Sequence, residues 1–343
     1  MDLVLEGMHG LGDNLHQRAV VRALCSSGHR CFLKTPWPQL YFDLAGPKLH
    51  LIPGASRLRT QAKNEARSSG HYSNLRPPPG ARSVRVWYSP EGVRQRGSVL
   101  GAMLASCGVP QQLSDFRLPV PPEWEARAKR HLRGLSSSRP LMAFRPLVER
   151  AEWKGCHARN PDAYAYGTIA AALAKKYCVV SVADLVPDVE WVYGADIDAD
   201  LKLHKGELEV EALVGLLSMA GLAFASPGFA VPLAQAVGTP VVCVFGGYES
   251  SRSFSLGASW APYLGIDTIN PCECFGHAHA CEKRIDIADA LRRAEDFASA
   301  LAQRRQVERP AVSPGQLERH PAGSSAAVPP PGGNGDARSA ALG

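Results

Sequence analysis

Residues 216–247 read LLSMAGLAFASPGFAVPLAQAVGTPVVCVFGG, and the architecture of the second half of the chain follows from this stretch. Apolar residues at helical spacing over 210–219 predict a helix that runs into it. The unbroken apolar runs 222–225 and 241–245 predict strands, with a turn at Ser226-Pro227-Gly228 and a second helix over 231–237 between them. Strands apolar at every position, rather than at alternate ones, suit a parallel sheet covered on both faces. Helix and strand therefore alternate as in an α/β domain.

The same alternation extends outward. Upstream lie a strand at 141–144, a helix at 164–175 and a strand at 178–182. The first half offers strands near Leu3 and at 31–33, 49–52 and 84–87, with helices at 15–25 and 99–105. Residues 61–80 are polar and end in Pro77-Pro78-Pro79-Gly80, which predicts an exposed loop. Pro-rich 119–122 and the Ser-rich segment 134–140 flank a charged helix and mark a boundary. The expected division is a domain at 1–136, a second at 137–309 and a disordered Pro- and Gly-rich tail at 310–343, following a long helical pattern over 285–304. Two such domains place a ligand site at their facing strand ends.

Between the first strand and first helix runs Gly7-Met8-His9-Gly10-Leu11-Gly12-Asp13-Asn14. Its glycines allow close backbone approach, and a helix start favours anions, so either a tight turn or an anion-binding loop fits. The order G-x-G-x-x-G of dinucleotide sites is absent. Asp13 at a helix start is expected to be ionised; it is a candidate general base or a helix cap, and Asn14 could cap in its place. His9 is a second candidate base.

With 343 residues, 45% of them hydrophobic, the chain suits two globular domains. Its net charge of +6, with arginines spread over 57–159, fits either a polyanionic partner or a solvated surface. No signal-like segment or membrane-length apolar run is present, so a cytoplasmic location without a membrane span is expected. Of nine cysteines, Cys25, Cys31, Cys107, Cys178 and Cys243 sit in apolar contexts as packing residues. Cys272, Cys274 and Cys281, with His277 and His279, form a metal-like cluster, but C-x-C-x6-C lacks paired C-x-x-C knuckles and no metal is assigned.

Residues 216–247, together with Gly10-Leu11-Gly12-Asp13, resemble glycosyltransferase family 9, the ADP-heptose:lipopolysaccharide heptosyltransferase-like group of the GT-B superfamily. The resemblance implies a GT-B fold, two Rossmann-like domains facing each other across a cleft. It further implies an inverting transferase that moves a sugar from a nucleotide-sugar donor to a hydroxyl acceptor, glycan or lipopolysaccharide-like, with neither metal nor other cofactor. Asp13 takes the family's general base position. Where the family turn reads Asp-Thr-Gly with a histidine beyond it, this chain has Ser226-Pro227-Gly228 and Pro232.

Donor binding is assigned to Gly10, Gly12, Ser226, Gly228 and Phe229, because a helix start presents N–H groups to a diphosphate. Arg145 and either Lys154 or Arg159 would stabilise its charge, Lys154 being the nearest match to a family lysine, and Gly246 and Gly247, before Ser250, Ser251 and Arg252, could complete the site. Two other readings stay open. One is a transferase acting on modified DNA, prompted by the basic balance and making nucleic acid a candidate partner. The other is a GT-B-like module that binds a nucleotide or glycan without catalysis.

Overall fold

Short apolar strands separated by helices pair in parallel in the computed structural model, which describes residues 1–308 apart from 57, 152–158, 195, 258–259 and 277–280. In the first half these are β1 (Asp2–Glu6), α1 (Leu11–Ser26), β2 (Arg30–Thr35), β3 (Leu49–Pro53), α2 (Arg59–Arg67), β4 (Arg82–Arg85), α3 (Pro90–Arg96), α4 (Val99–Ser106) and α5 (Pro122–His131). Among the described residues they give a parallel sheet of order β3-β2-β1-β4. The second half contains β5 (Leu141–Phe144), β6 (Val148–Arg150), α6 (Ala163–Ala174), β7 (Cys178–Val182), β8 (Glu190–Val192), β9 (Leu201–Leu203), α7 (Val210–Met219), β10 (Leu222–Ala225), α8 (Ala230–Val237), β11 (Val241–Val244), β12 (Tyr263–Ile266) and α9 (Ile287–Glu308). Its parallel sheet has the order β12-β11-β10-β5-β7-β9, and β6 pairs with β8 in a small antiparallel ribbon.

The buried faces follow the apolar pattern. Leu3, Leu5, Leu33 and Leu51 of the first sheet pack with Leu15, Ala19 and Val20 of α1. That cluster continues without a break into Val231, Leu233 and Ala234 of α8 and Val241 and Cys243 of β11. A β-carbon on Gly12 would lie 3.1 Å from Phe229 Cα and 3.2 Å from Pro232 Cγ, so the first turn of α1 sits directly on the first turn of α8. Pro232 is a packing surface for that contact. Farther along, Leu118 N–H donates to Ala236 O at 2.9 Å, tying the chain after α4 to the same helix.

Several expectations need correction. The segment 61–80 is not simply an exposed loop: it begins in α2, whose Gln61 and Asn64 are buried. Asn64 donates to Pro36 O at 2.6 Å and Gln39 Oε1 at 3.1 Å, and such polar burial leaves no apolar period to read. The strand expected at 84–87 is β4, shifted to Arg82–Arg85, an edge strand with polar, exposed residues. The short β6, β8, β9 and β12 were not anticipated, being three or four residues long and only partly buried. α1 begins at Leu11, four residues ahead of its first strongly periodic position. The tail 310–343 lies outside the described residues.

Arg18 of α1 is fully buried and uses its whole guanidinium. It donates to both carboxylate oxygens of Asp43 at 2.8 Å, to Phe116 O at 3.2 Å, to Arg117 O at 2.8 Å and to Leu40 O. A single side chain thus ties α1 to two segments with no regular ladder between them. Removing one partner of a buried ion pair costs about 3–5 kcal/mol, because the other is left uncompensated. Asp43 also meets Arg22, at 3.4 Å, which softens the loss. Arg18→Met is therefore expected to lower the unfolding free energy by about 3 kcal/mol in urea titrations, whereas Asp115→Ala, at a half-exposed site, should shift it by no more than about 1 kcal/mol.

α5 crosses α7 at Gly215, where an added β-carbon would come within 2.3 Å of Trp124 O. The obstacle is backbone, so it cannot rotate away. Gly215→Ala is expected to destabilise by about 1–3 kcal/mol through overpacking, read from the shift in thermal midpoint.

Candidate active site

The carboxyl ends of both sheets open onto one cavity of about 1380 Å³. After β1 come Met8, His9, Gly10, Gly12 and Asp13; after β4, Tyr88; after β5, Arg145; after β10, Ser226 to Phe229. This is where parallel α/β sheets bind ligands, since loops leaving the strand ends carry variable side chains. Pockets for one small ligand span about 300–1,000 Å³, so this cavity has room for two reactants side by side.

Asp13 lies in the first turn of α1, whose N-cap is Gly10, extended and without a side-chain cap. Neither Asp13 nor Asn14 is the cap, contrary to one sequence reading. Asn14 is instead a buried strut: its amide donates to Met8 O at 2.8 Å and Gly10 O at 2.9 Å, while its Oδ1 accepts from Thr35 Oγ1 at 2.7 Å. These bonds fix the loop that carries the acid. Tyr88 OH donates to Asp13 Oδ1 at 3.2 Å.

Burial raises the Asp13 carboxyl above the ordinary carboxylate range, while nearby Arg159 and the Tyr88 hydrogen bond oppose the shift and Glu249 reinforces it. The helix dipole alone favours the ionised acid; here desolvation in the cavity wall outweighs it. Arg159 is held by Glu249, with Nε donating to Oε1 at 2.7 Å. His16, also on the cavity wall, is pushed down to about 3 by burial and stays neutral, packed edge-on against Phe116.

Across the cavity, β10 ends in Ser226-Pro227-Gly228, and α8 starts after Phe229. Arg145 follows β5 and lies over the Phe229 ring at 5.5 Å. Its guanidinium donates to Val182 O at 2.9 Å and to Glu190 Oε1 at 3.1 Å. Glu190, buried in β8, also meets Arg150 at 2.9 Å and Arg59 at 3.1 Å, and Asp184 takes Arg59 at 3.1 Å and Lys63 at 3.4 Å. Among the described residues these four cations thus gather on Glu190 and Asp184, and Lys63, Arg145 and Arg150 line the cavity. Of this group, sequence reading found Arg145. Arg59 and Lys63 lie inside polar α2, Asp184 lies between β7 and β8, and Glu190 opens the three-residue β8, too short to carry a pattern.

The structure brings together Gly10, Gly12, Asp13, Arg145, Ser226, Gly228 and Phe229 on this one cavity, with His9 and Arg159. Gly246 and Gly247 are not on its wall. Gly246 backs onto Asn160, whose O would lie 2.5 Å from an added β-carbon, and Gly247 packs beside Thr268, since the turn after β11 folds behind the site. Ser250, Ser251 and Arg252 also lie off the cavity: Ser251 bonds Asp267, and Arg252 pairs with Glu273 at 2.9 Å. Lys154 falls outside the described residues. Cys272, Cys274 and Cys281 come together away from this cavity, while His277 and His279 lie outside the described residues.

The sequence matches no protein-family model and no curated protein. Solved structures do resemble this one. ADP-heptose lipopolysaccharide heptosyltransferase II of E. coli aligns with a TM-score of 0.55 at 16% identity, over 89% of this chain and 100% of that one. The iron-containing dodecameric glycosyltransferase TibC of enterotoxigenic E. coli H10407 gives 0.57 at 15% identity, over 89% and 76%. A family 9 glycosyl transferase from Veillonella parvula gives 0.55 at 12% identity, over 87% and 97%. With its two parallel sheets and the cavity at their strand ends, the chain has the GT-B fold of these glycosyltransferases.

Proposed function

We propose that this chain is an inverting glycosyltransferase of the family 9 type, which moves a sugar from a nucleoside-diphosphate donor to a hydroxyl acceptor. One observation carries the reading: Asp13 and the turn Ser226 to Phe229 line one cavity, brought together by the contact of Gly12 with Phe229. In the transfer, Asp13 takes the acceptor hydroxyl proton as its oxygen bonds the anomeric carbon. The bond from that carbon to the diphosphate breaks on the opposite face, and the electron pair leaves with the diphosphate. A carboxyl raised above the ordinary carboxylate range is, in its ionised form, a stronger proton acceptor than an ordinary one.

Backbone N–H groups at the start of α8 and the Arg145 guanidinium are suited to the departing charge. TibC, solved in complex with ADP-D-β-D-heptose, supports a nucleotide sugar as the donor class. The N-terminal half would hold the acceptor, a glycan or lipopolysaccharide-like hydroxyl, and the C-terminal half the donor, in a cytoplasmic enzyme that needs no resident cofactor for this step.

Asp13→Asn is expected to lower kcat by about 10²–10⁴-fold while leaving nucleoside-diphosphate affinity unchanged. It should also stabilise the fold at neutral pH. A carboxyl raised in the folded state disfavours its own ionisation there, so stability falls as pH climbs from the unfolded toward the folded pKa. Asparagine removes that cost, and the gain in thermal midpoint should vanish below about pH 4, where both states are protonated. Unchanged turnover in this variant sinks the base assignment, and wild-type protein that binds nucleotide sugars but turns none over favours a binding module.

ADP and UDP are expected to raise the thermal midpoint of the wild type by mass action. Arg145→Gln should weaken the better of the two by about tenfold or more, the worth of a hydrogen bond to a charged group. An unaltered midpoint shift in the variant would remove Arg145 from the donor site.

A further inference from the structure

Away from the cavity, the Sγ atoms of Cys272, Cys274 and Cys281 all lie within 4.8 Å of one another. A tetrahedral ion with metal–sulfur bonds of about 2.3 Å sets its sulfurs about 3.8 Å apart, so the three need close in by only a fraction of an ångström to a shared centre. The C-x-C-x6-C spacing lacks the paired knuckles of common zinc sites, and by itself argues against a metal. The fold supplies what the spacing lacks.

Glu273 and Phe275, the residues that follow Cys272 and Cys274, both adopt left-handed backbone conformations, with φ of 48° and 52°. Each costs about 1–2 kcal/mol for a residue with a side chain, and such conformations persist where the surroundings over-determine them. Here they curl the chain so that two cysteines one residue apart face the same third thiol. The curl is fastened from behind: Glu273 N–H donates to Gly247 O at 2.9 Å and Phe275 N–H to Tyr248 O at 3.2 Å. Arg94 reaches Glu273 O at 3.3 Å, and Arg252 pairs with its carboxylate.

The sulfurs are themselves supported. Gly276 N–H donates to Cys274 Sγ at 3.4 Å, the kind of outer bond that steadies a thiolate ligand. All three thiols are exposed, so an ion can reach them from solvent.

We propose that Cys272, Cys274 and Cys281 form a three-thiolate site for one thiophilic divalent transition-metal ion, of which zinc is the representative. Binding replaces three thiol protons by one dication, with no change of oxidation state, and leaves one tetrahedral position to a fourth donor. The ion clamps the loop against the turn after β11. That turn carries Tyr248 on the cavity wall and Glu249, which holds Arg159 beside Asp13. The site is therefore structural, and it is independent of the transferase reading.

The test uses the full chain, reduced, stripped with chelator and titrated with zinc chloride. Uptake of one equivalent is expected, with three thiols protected from maleimide and a rise in thermal midpoint. Cobalt(II) in place of zinc should give a sulfur-to-metal charge-transfer band. Cys272→Ser and Cys281→Ser should each weaken zinc by more than about tenfold, while Cys25→Ser leaves it unchanged. Thiol protection in the wild type needs no variant to fold. Three thiols that alkylate equally fast with and without zinc overturn the proposal. So does zinc uptake that both serine variants retain.

Discussion

Everything at the site depends on one short contact, the backbone of Gly12 against Phe229 and Pro232. It sets the first turn of α1 on the first turn of α8, so the positive ends of two helices converge on one volume. A β-carbon at position 12 would meet a main-chain atom at 3.1 Å, so any larger residue would push the two starts apart. Asp13 and the turn Ser226 to Phe229 are thereby placed without a loop spanning between them. Both are fixed to helices inside the shared core, which is the arrangement that holds reacting groups within fractions of an ångström.

The charges around the cavity divide into two systems with different physics. Asp13, Tyr88, Arg159 and Glu249 form a compact set in which burial dominates, raising both the carboxyl and the phenol. Arg59, Lys63, Arg145 and Arg150 form a second set, gathered on the carboxylates of Asp184 and Glu190. An anion entering the cavity beside Arg145 and Arg150 would meet guanidinium groups that are mostly buried and already oriented, with little reorganisation left for the moment of binding.

Much of this could be read from residues in order. The apolar runs 141–144, 178–182, 222–225 and 241–245 located the central strands of the larger sheet, because a parallel strand buried on both faces has no other composition. Glycine and aspartate after β1 marked the acid, and Arg145 was legible from its place at a strand end. What stayed hidden was polar or short. α2 buries amides rather than aliphatics, so Gln61 and Asn64 mimic a loop. Asn14 reads as a cap until Thr35 and Tyr41 are brought beside it by the sheet. Gly246 and Gly247 follow the strongest strand, but the turn they make is directed by Asn160 and the cysteine loop, neither of them a near neighbour in sequence.

The continuous core through α1 and α8 bears on how the cavity can breathe. Separating those helices would expose Leu15, Val20, Val231 and Leu233, at about 1.5–3 kcal/mol for each large side chain. On another side of the cavity, among the described residues, Arg59 and Lys63 pair with the partly exposed Asp184 in bonds worth about 1 kcal/mol or less apiece, and Arg59 also reaches the buried Glu190. When Arg59 lets go, Glu190 keeps Arg145 and Arg150, so no charge is stranded. Any widening of the cavity would therefore cost least at these ion pairs, and Asp13, held beside the apolar contact of α1 with α8, would travel least.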